Sequence, residues 1–413
     1  MPLPESVPIV EPSPEEMATS DLEVLAKPKK PRLPTTAAKF KDILTRTGKV
    51  YVSREHRAFF TTPTAKSARR RPVRSSYAKT LRTCPRFFLF QVRYGLRRKG
   101  QYDMALEVGK IVHVMYEAIY LGKTSAEALI DASTYVSKYN EELETYMNDA
   151  GVLPSGQLIE DVLRKSEQAY SLAQVMFLLS ADRFFKAPWI VKEDWKVLAV
   201  EQPLQLRWRS IKAPMRCKPD TLLLRPSDNV IMIVNHKTTS FDVQMLAQGY
   251  TFDLQASIEH LCVQAAYPDH RVGYYLHNVV RKPTLKYPAK KYPTFDDYLE
   301  ACRQWYANLE ATNPENPPVA QTLRALPPKP MNEELHCALY EVGRASYCVP
   351  DSSRFYRDSS ACFGKYNNRA CPYLPLCSAS PALWENIIKD NYVQEFREEE
   401  ETLESGTQHV DFN

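Results

Sequence analysis

Asp220, Asn235 and Lys237 stand within CKPDTLLLRPSDNVIMIVNHKTT, residues 217–239. The stretch reads as two β-strands joined by a turn, with Asp220 on the first strand and Asn235, His236 and Lys237 ending the second. Side chains alternate across a strand, so Lys237 points to the same side as Asn235, and the hairpin brings Asp220 and Asn235 near one another at one edge of a sheet. Such a group suits phosphodiester hydrolysis. Oxygen and nitrogen ligands hold a divalent cation that activates water and neutralises charge growing on the phosphate, and a lysine can orient the water or stabilise the pentacovalent phosphorus. A satisfied surface turn is the competing reading.

A second set lies near the C-terminus, where CFGKYNNRACPYLPLC carries Cys362, Cys371 and Cys377. Thiolates bind iron or zinc, and three of them in a loop stiffened by Pro372 and Pro375 form a partial cage that needs a fourth ligand. Buried thiols without a metal are the alternative. Cys217, Cys262 and Cys302 lie in apolar patterns and read as core.

These residues need elements to position them. SSYAKTLRTCPRFFLFQV has helical spacing through Tyr77, Leu81, Phe88 and Val92, with Pro85 kinking or dividing it. A second helix over 106–122 carries an apolar stripe of Val108, Ile111, Val112, Met115 and Ile119, with His113 beside it. Further helical patterns run over 126–147 and 158–185. Strand-like segments come next at 196–208, 215–224 and 230–234, then a helix over 253–264, a strand over 272–280 and a helix over 295–309. This order predicts a mixed α/β domain with a central sheet.

The chain of 413 residues is 44% hydrophobic and 25% charged, ordinary for a soluble globular protein, and no apolar run is long enough to cross a bilayer. Its start, MPLPESVPIVEPSPEE, has neither the basic and apolar segments of a secretory signal nor an arginine-rich transit helix, so a cytoplasmic location is expected. Residues 1–70 read as a basic, proline-rich arm unable to bury enough apolar surface to fold. The net charge is only +5, but basic residues concentrate over 66–74 and 93–99 while the C-terminal tail is acidic, which suits a polyanion partner.

In chain order, GKIVH with His113, VEQPL with Glu201, KPD with Asp220, IVNHKTT with Lys237, and then Gln255 resemble the RecB-like branch of the PD-(D/E)XK nucleases. That branch includes nuclease domains of bacterial recombination complexes and many phage exonucleases, and the resemblance covers roughly residues 75–380. It implies a restriction-endonuclease-like core, a central mixed sheet flanked by helices, spanning 71–380 with a helical insertion at 122–190; beyond it, residues 381–413 read from their charge as an acidic tail. It further implies that His113, Asp220 and position 235 bind Mg2+ or Mn2+, that Lys237 assists hydrolysis, that Glu201 helps through a water or a hydrogen bond, and that Gln255 organises the site. The family's usual tyrosine four residues after that glutamine is Glu259 here. A [4Fe-4S] cluster on one cysteine before the core and three after it is also implied, with Cys84 of TCPRFF in the first place and segment 360–380 supplying the rest. Cys337 and Cys348 are substitutes for Cys84, and Zn2+ is the alternative occupant. The cluster would staple the N- and C-terminal parts together.

The pattern calls for Asp or Glu at position 235, and this chain has Asn. A neutral amide binds a hard dication less strongly, so activity is expected to be weakened or lost. Two explanations stand: natural loss or retuning, and a deliberate Asp-to-Asn change. DNA is the expected partner, with phosphate contacts from Arg97, Arg98, Arg281 and Lys282, together with a protein partner in a recombination or replication complex. Three functions are open: a metal-dependent DNA nuclease, most simply an exonuclease; a non-cleaving nucleic-acid-binding or scaffold protein on the same fold; and a zinc-stabilised interaction domain, which leaves the order of His113, Asp220 and Lys237 unexplained.

Overall fold

The computed structural model of the chain describes residues 74–98, 102–150, 159–187, 194–208, 211–243, 254–287, 290–327, 371–380 and 383–394, with residues 190, 340, 362 and 409–411. The arm expected over 1–70, and Cys337 and Cys348, lie outside them. The described chain opens with α1 (Ser75–Thr83), α2 (Pro85–Phe88), a π-helical turn over Leu89–Arg93 and β1 (Leu96–Arg98). Cys84 separates α1 from α2 with an extended backbone, φ −163°. Pro85 causes this break, because a proline disfavours helical geometry in the residue before it.

Helices α3 (Met104–Tyr120), α4 (Ser125–Ala150) and α5 (Ile159–Phe185) come next. Asp103 starts α3 by accepting hydrogen bonds from the backbone of Ala105 and Leu106. The strands are β2 (Lys196–Val200), β3 (Leu204–Trp208), β4 (Ile211–Cys217), β5 (Thr221–Arg225) and β6 (Val230–Thr239); α6 (Leu254–Ala266), β7 (Arg271–Arg281), α7 (Phe295–Thr312) and β8 (Val319–Ala325) complete the core. A five-stranded sheet has the order β2-β5-β6-β7-β8. All its pairs are antiparallel except β6 with β7, which α6 joins as a parallel crossover. Where β7 meets β6, Gly273 is skipped in the register, and a Cβ there would stand 2.7 Å from Val230 Cγ1, so only glycine fits that approach.

Strand pleating divides the core in two. Leu223, Met232, Val234 and Leu276 pack under α3 and α5 with Met115, Phe177 and Phe184, whereas Leu222, Ile231, Ile233 and Tyr275 pack under α6 with Ile258 and Val263. Each fully buried large side chain stabilises by about 1.5–3 kcal/mol. The same alternation assigns the polar end of β6: His236 belongs to the α3 face, and Asn235 and Lys237 belong to the α6 face.

The structure corrects several sequence expectations. The single strand expected over 196–208 is two strands in different sheets, because Glu201 takes a left-handed backbone (φ 49°) and Pro203 lies just beyond it. The strand expected over 215–224 is likewise broken at residues 218–220, leaving Asp220 just ahead of β5. The acidic tail expected from residue 381 is in part folded: α8 (Leu374–Ser378) leads into α9 (Trp384–Asn391) and β9 (Tyr392–Gln394), and β9 pairs with β1. Trp384, Ile388 and Tyr392 recur every fourth residue and bury against Phe90 and Tyr373, which explains why this stretch is ordered against the domain. The three-residue β10 (His409–Asp411) pairs parallel to β3. Among the described residues no helix is long and apolar enough to cross a membrane.

On α6, burial and then the nearby Arg324 charge depress the His260 pKa to about 4. The folded state therefore resists a proton that the unfolded chain accepts near pH 6.5. His260 contributes stability that is complete above that pH and is lost as pH falls toward 4, about 2 kcal/mol of it by pH 5. Thermal melts in chelator from pH 7 to pH 5 should show this loss in the parent chain and a shallower slope in His260→Gln; parallel slopes would exclude the neutral buried imidazole.

Candidate active site

The hairpin of β5 and β6 pairs Thr221 with Val234, so Asp220 continues the register opposite Asn235. Its carboxylate is fixed by backbone: the His236 N–H donates to Asp220 Oδ2 at 2.6 Å. His236 is itself immobilised on the α3 face, stacked on Tyr116 with ring centroids 3.8 Å apart. Asn278 Nδ2 donates to His236 Nδ1 (3.0 Å), so Nε2 carries the proton toward the Tyr120 hydroxyl at 3.0 Å. Burial holds the His236 pKa well below its ordinary value, so the ring is neutral. This packing sets the strand end from which Asp220 is held.

Two other elements reach the same point. Glu201 follows directly on β2, and its N–H donates to the Asp220 carbonyl at 3.0 Å. A left-handed backbone in a non-glycine residue costs roughly 1–2 kcal/mol, and here that conformation accompanies a carboxylate directed at His113 of α3. His113 Nδ1 lies 3.5 Å from Asp220 Oδ1 and 3.9 Å from Glu201 Oε1. Ligating atoms of His113, Glu201 and Asp220 all fall within 4.8 Å of one another. They open into a cavity of about 680 Å³ that Gln255, Glu259 and Arg74 also line.

The charges are interdependent. Burial pulls the His113 pKa down, but Asp220 and Glu201 overcome it and leave the imidazole more basic than usual. Burial raises Glu201, yet hydrogen bonds from His113 and Lys218 outweigh it and leave the carboxyl more acidic than usual. Lys218 Nζ is 2.5 Å from Glu201 Oε2 and 44% exposed, a screened rim contact. An imidazole and two carboxylates are the donor set of a hard or borderline dication, so these residues fit Mg2+ or Mn2+.

On the α6 face, Asn235 is fully buried. Its Nδ2 donates to Glu259 Oε2 at 2.7 Å and to the Tyr275 hydroxyl at 2.6 Å, and that hydroxyl donates to Glu259 Oε2 at 2.7 Å. Gln255 Nε2 donates to Glu259 Oε1 at 2.8 Å, with Asn235 Oδ1 at 3.4 Å, and Gln255 Oε1 accepts from Lys237 Nζ at 3.3 Å. Gln255 thus ties the lysine to the buried carboxyl. Burial pushes the Glu259 pKa up to about 7 against the opposing influence of Lys237 and these donors. Glu259 was not singled out from sequence as a site residue. The available signal was a carboxylate four residues after Gln255, on the same face of an otherwise apolar helix.

The cysteines form a separate group. Cys84, Cys371 and Cys377 share an aromatic cluster with Phe87, Phe90, Tyr373 and Trp384, and Cys371 N–H donates to the Cys362 carbonyl at 2.9 Å. Burial raises the Cys371 thiol, with Cys362 and Cys84 adding to it. Burial pushes Cys377 up to about 12, opposed by Arg86 and reinforced by Cys371, Cys84 and Cys362. Cys84 and Cys371 are buried, whereas Cys362 and Cys377 are partly exposed. Thiolates are ligands for iron and zinc, but among the described residues these sulfurs do not close to within 4.8 Å of one another as the ligand atoms of His113, Glu201 and Asp220 do.

The sequence-derived phosphate contacts are dispersed. Arg97 and Arg98 lie on β1 opposite Val393 and Tyr392 of β9. The Arg281 guanidinium lies over Trp305, 5.9 Å from its centroid, and Lys282 Nζ donates to the Ala105 carbonyl in the first turn of α3 at 2.7 Å. None of the four lines the cavity.

Residues 75–347 match the family model described as the PD-(D/E)XK nuclease superfamily. No curated protein matches the chain.

Proposed function

The chain belongs to the PD-(D/E)XK nuclease superfamily, and from that premise we propose that it is a Mg2+- or Mn2+-dependent deoxyribonuclease whose reaction centre is the group His113, Glu201 and Asp220. The observation that carries this reading is the approach of those three ligating atoms to within 4.8 Å at the wall of one cavity. A bound dication supplies an activated water and neutralises charge on the scissile phosphate. Asp220 is held for that task by the His236 amide, and the elevated basicity of His113 reflects two anions that a cation would compensate. Lys237, oriented by Gln255, donates toward the attacking water or a phosphate oxygen. Action on DNA ends as an exonuclease is the finer reading, supported by the RecB-like motif order.

Linear duplex, single-stranded and closed circular DNA incubated with Mg2+ or Mn2+ test it. Degradation of the linear forms, an intact circle and complete loss of activity in chelator are expected; a cut circle would make it an endonuclease. Asn235 favours a second reading, a protein that binds DNA without cutting it. Retained DNA binding with no cleavage in either cation would establish that reading.

For the cysteines we propose a [4Fe-4S] cluster on Cys84, Cys362, Cys371 and Cys377 acting as a structural staple. Its support is the motif resemblance together with the packing of Cys84, Cys371 and Cys377, distant in sequence, in one aromatic cluster, with Cys362 joined to Cys371 by a backbone hydrogen bond. A role for the protein in a recombination or replication complex rests on the same motif resemblance.

A further inference from the structure

Asn235 occupies the position at which the resemblance calls for a carboxylate, and the hydrogen bonds around it show where a carboxylate went instead. Glu259 is 2% exposed, faces Asn235 across the α6 side of the sheet and lines the cavity that holds His113, Glu201 and Asp220. An aspartate at 235 would set its oxygen at the 2.7 Å now spanned by the Asn235 Nδ2 donor, opposing two carboxylates in a dry interior. Asn235 and Glu259 are therefore a matched pair that contains a single carboxyl, placed on the helix rather than on the strand.

The lone pairs agree with this. Glu259 Oε2 receives two donors, Asn235 Nδ2 and the Tyr275 hydroxyl, whereas Oε1 receives one, Gln255 Nε2. A carboxylate oxygen has two lone-pair sites, so Oε1 keeps one for a ligand. The same Gln255 that holds Oε1 accepts from Lys237, which puts the carboxylate one side chain from the lysine assigned to the reaction.

We propose that Glu259, on the wall of the same cavity but outside the close group of His113, Glu201 and Asp220, is a further cation-binding carboxylate of the nuclease site, acting through Oε1, and that Asn235 is its positioning partner rather than a damaged ligand. This rests on the nuclease reading above and makes an opposite demand on position 235: restoring an aspartate there alone is harmful unless the carboxyl on the helix is removed with it.

The test uses the full chain and its Asn235→Asp, Glu259→Gln, double Asn235→Asp/Glu259→Gln and Asp220→Asn forms. Mn2+ affinity is read by calorimetry and melting temperature is read in chelator. Glu259→Gln should weaken Mn2+ binding about 10- to 100-fold without a lower melting temperature. Asn235→Asp should melt lower than the parent without binding Mn2+ more tightly, and the double variant should recover both melting temperature and Mn2+ affinity. Unchanged affinity in Glu259→Gln while Asp220→Asn loses it would overturn the proposal and leave the nuclease reading standing. Tighter Mn2+ binding in Asn235→Asp alone would overturn it too. A parent chain that binds no Mn2+ would sink both, and the chelator melts would then report only whether the pair is electrostatically matched.

Discussion

Asp220→Asn should lower DNA cleavage by roughly 10³-fold while leaving the fold intact, because it removes one charge and almost no volume. The magnitude comes from losing a preorganised electrostatic contact at a reaction centre, typically worth about 10²–10³ in rate. Stability should survive, since an asparagine oxygen can still accept the His236 N–H that Asp220 Oδ2 accepts at 2.6 Å. The electrostatic consequence is larger: Asp220 is the first of the groups that raise the His113 pKa against burial, so cation binding loses both an oxygen ligand and the anion that organises the imidazole. Lys218→Ala provides the comparison. Its contact with Glu201 is as short, but the lysine is 44% exposed, and screened pairs of this kind contribute about 1 kcal/mol or less. Rates measured on linear DNA at saturating Mg2+ should therefore fall by less than about tenfold in Lys218→Ala. A ranking in which both variants lose activity equally would move the reaction centre away from Asp220.

The hairpin that holds Asp220 was legible because Val230 to Val234 is an unbroken apolar run and the polar residues beyond it alternate in the same register. Features decided by tertiary pairing lay beyond reach. β6 continues to Thr239 because β7 pairs with Asn235, His236 and Lys237 through His277, Asn278 and Val279, satisfying backbone that the side chains alone would mark as surface. β8 escaped notice since it is a half-exposed edge strand with no clean alternation. Pro214 concealed the start of β4, the edge strand of its sheet, where a proline is tolerated. Of the residues that motif order singles out, the structure brings His113, Glu201 and Asp220 within 4.8 Å of one another, puts Gln255 on the same cavity wall and links Lys237 to that glutamine. The partnership of Asn235 with Glu259 was not legible, because it depends on α6 crossing the sheet at that height and on the Tyr275 hydroxyl from a third element.

Removing Cys84 should release the C-terminal segment from the N-terminal helices, and the cause is the separation of the residues a cluster would join. A cross-link closing the loop between Cys84 and Cys371 stabilises by about 6 kcal/mol through chain entropy alone. Each aromatic contact at the same joint, Phe90 on Trp384 or Phe87 on Tyr373, is worth about 0.5–1.5 kcal/mol beyond its buried area. A cluster on these thiols would therefore outweigh any single aromatic contact at the joint. Anaerobically purified parent chain should be brown and carry about four irons, whereas Cys84→Ala should be colourless, melt several degrees lower and be cut by protease within 371–394 under conditions that spare the parent. The effect should reach the reaction centre. Arg74, Ser75 and Ser76, where α1 begins, line the cavity that holds Asp220, so a loosened α1 should raise KM for DNA more than it lowers kcat. Stoichiometric zinc with no colour would put zinc in the cage with the same mechanical consequence. A parent chain holding neither metal, with Cys84→Ala melting alongside it, would reduce the four thiols to ordinary core and leave the aromatic contacts to hold the two ends of the domain.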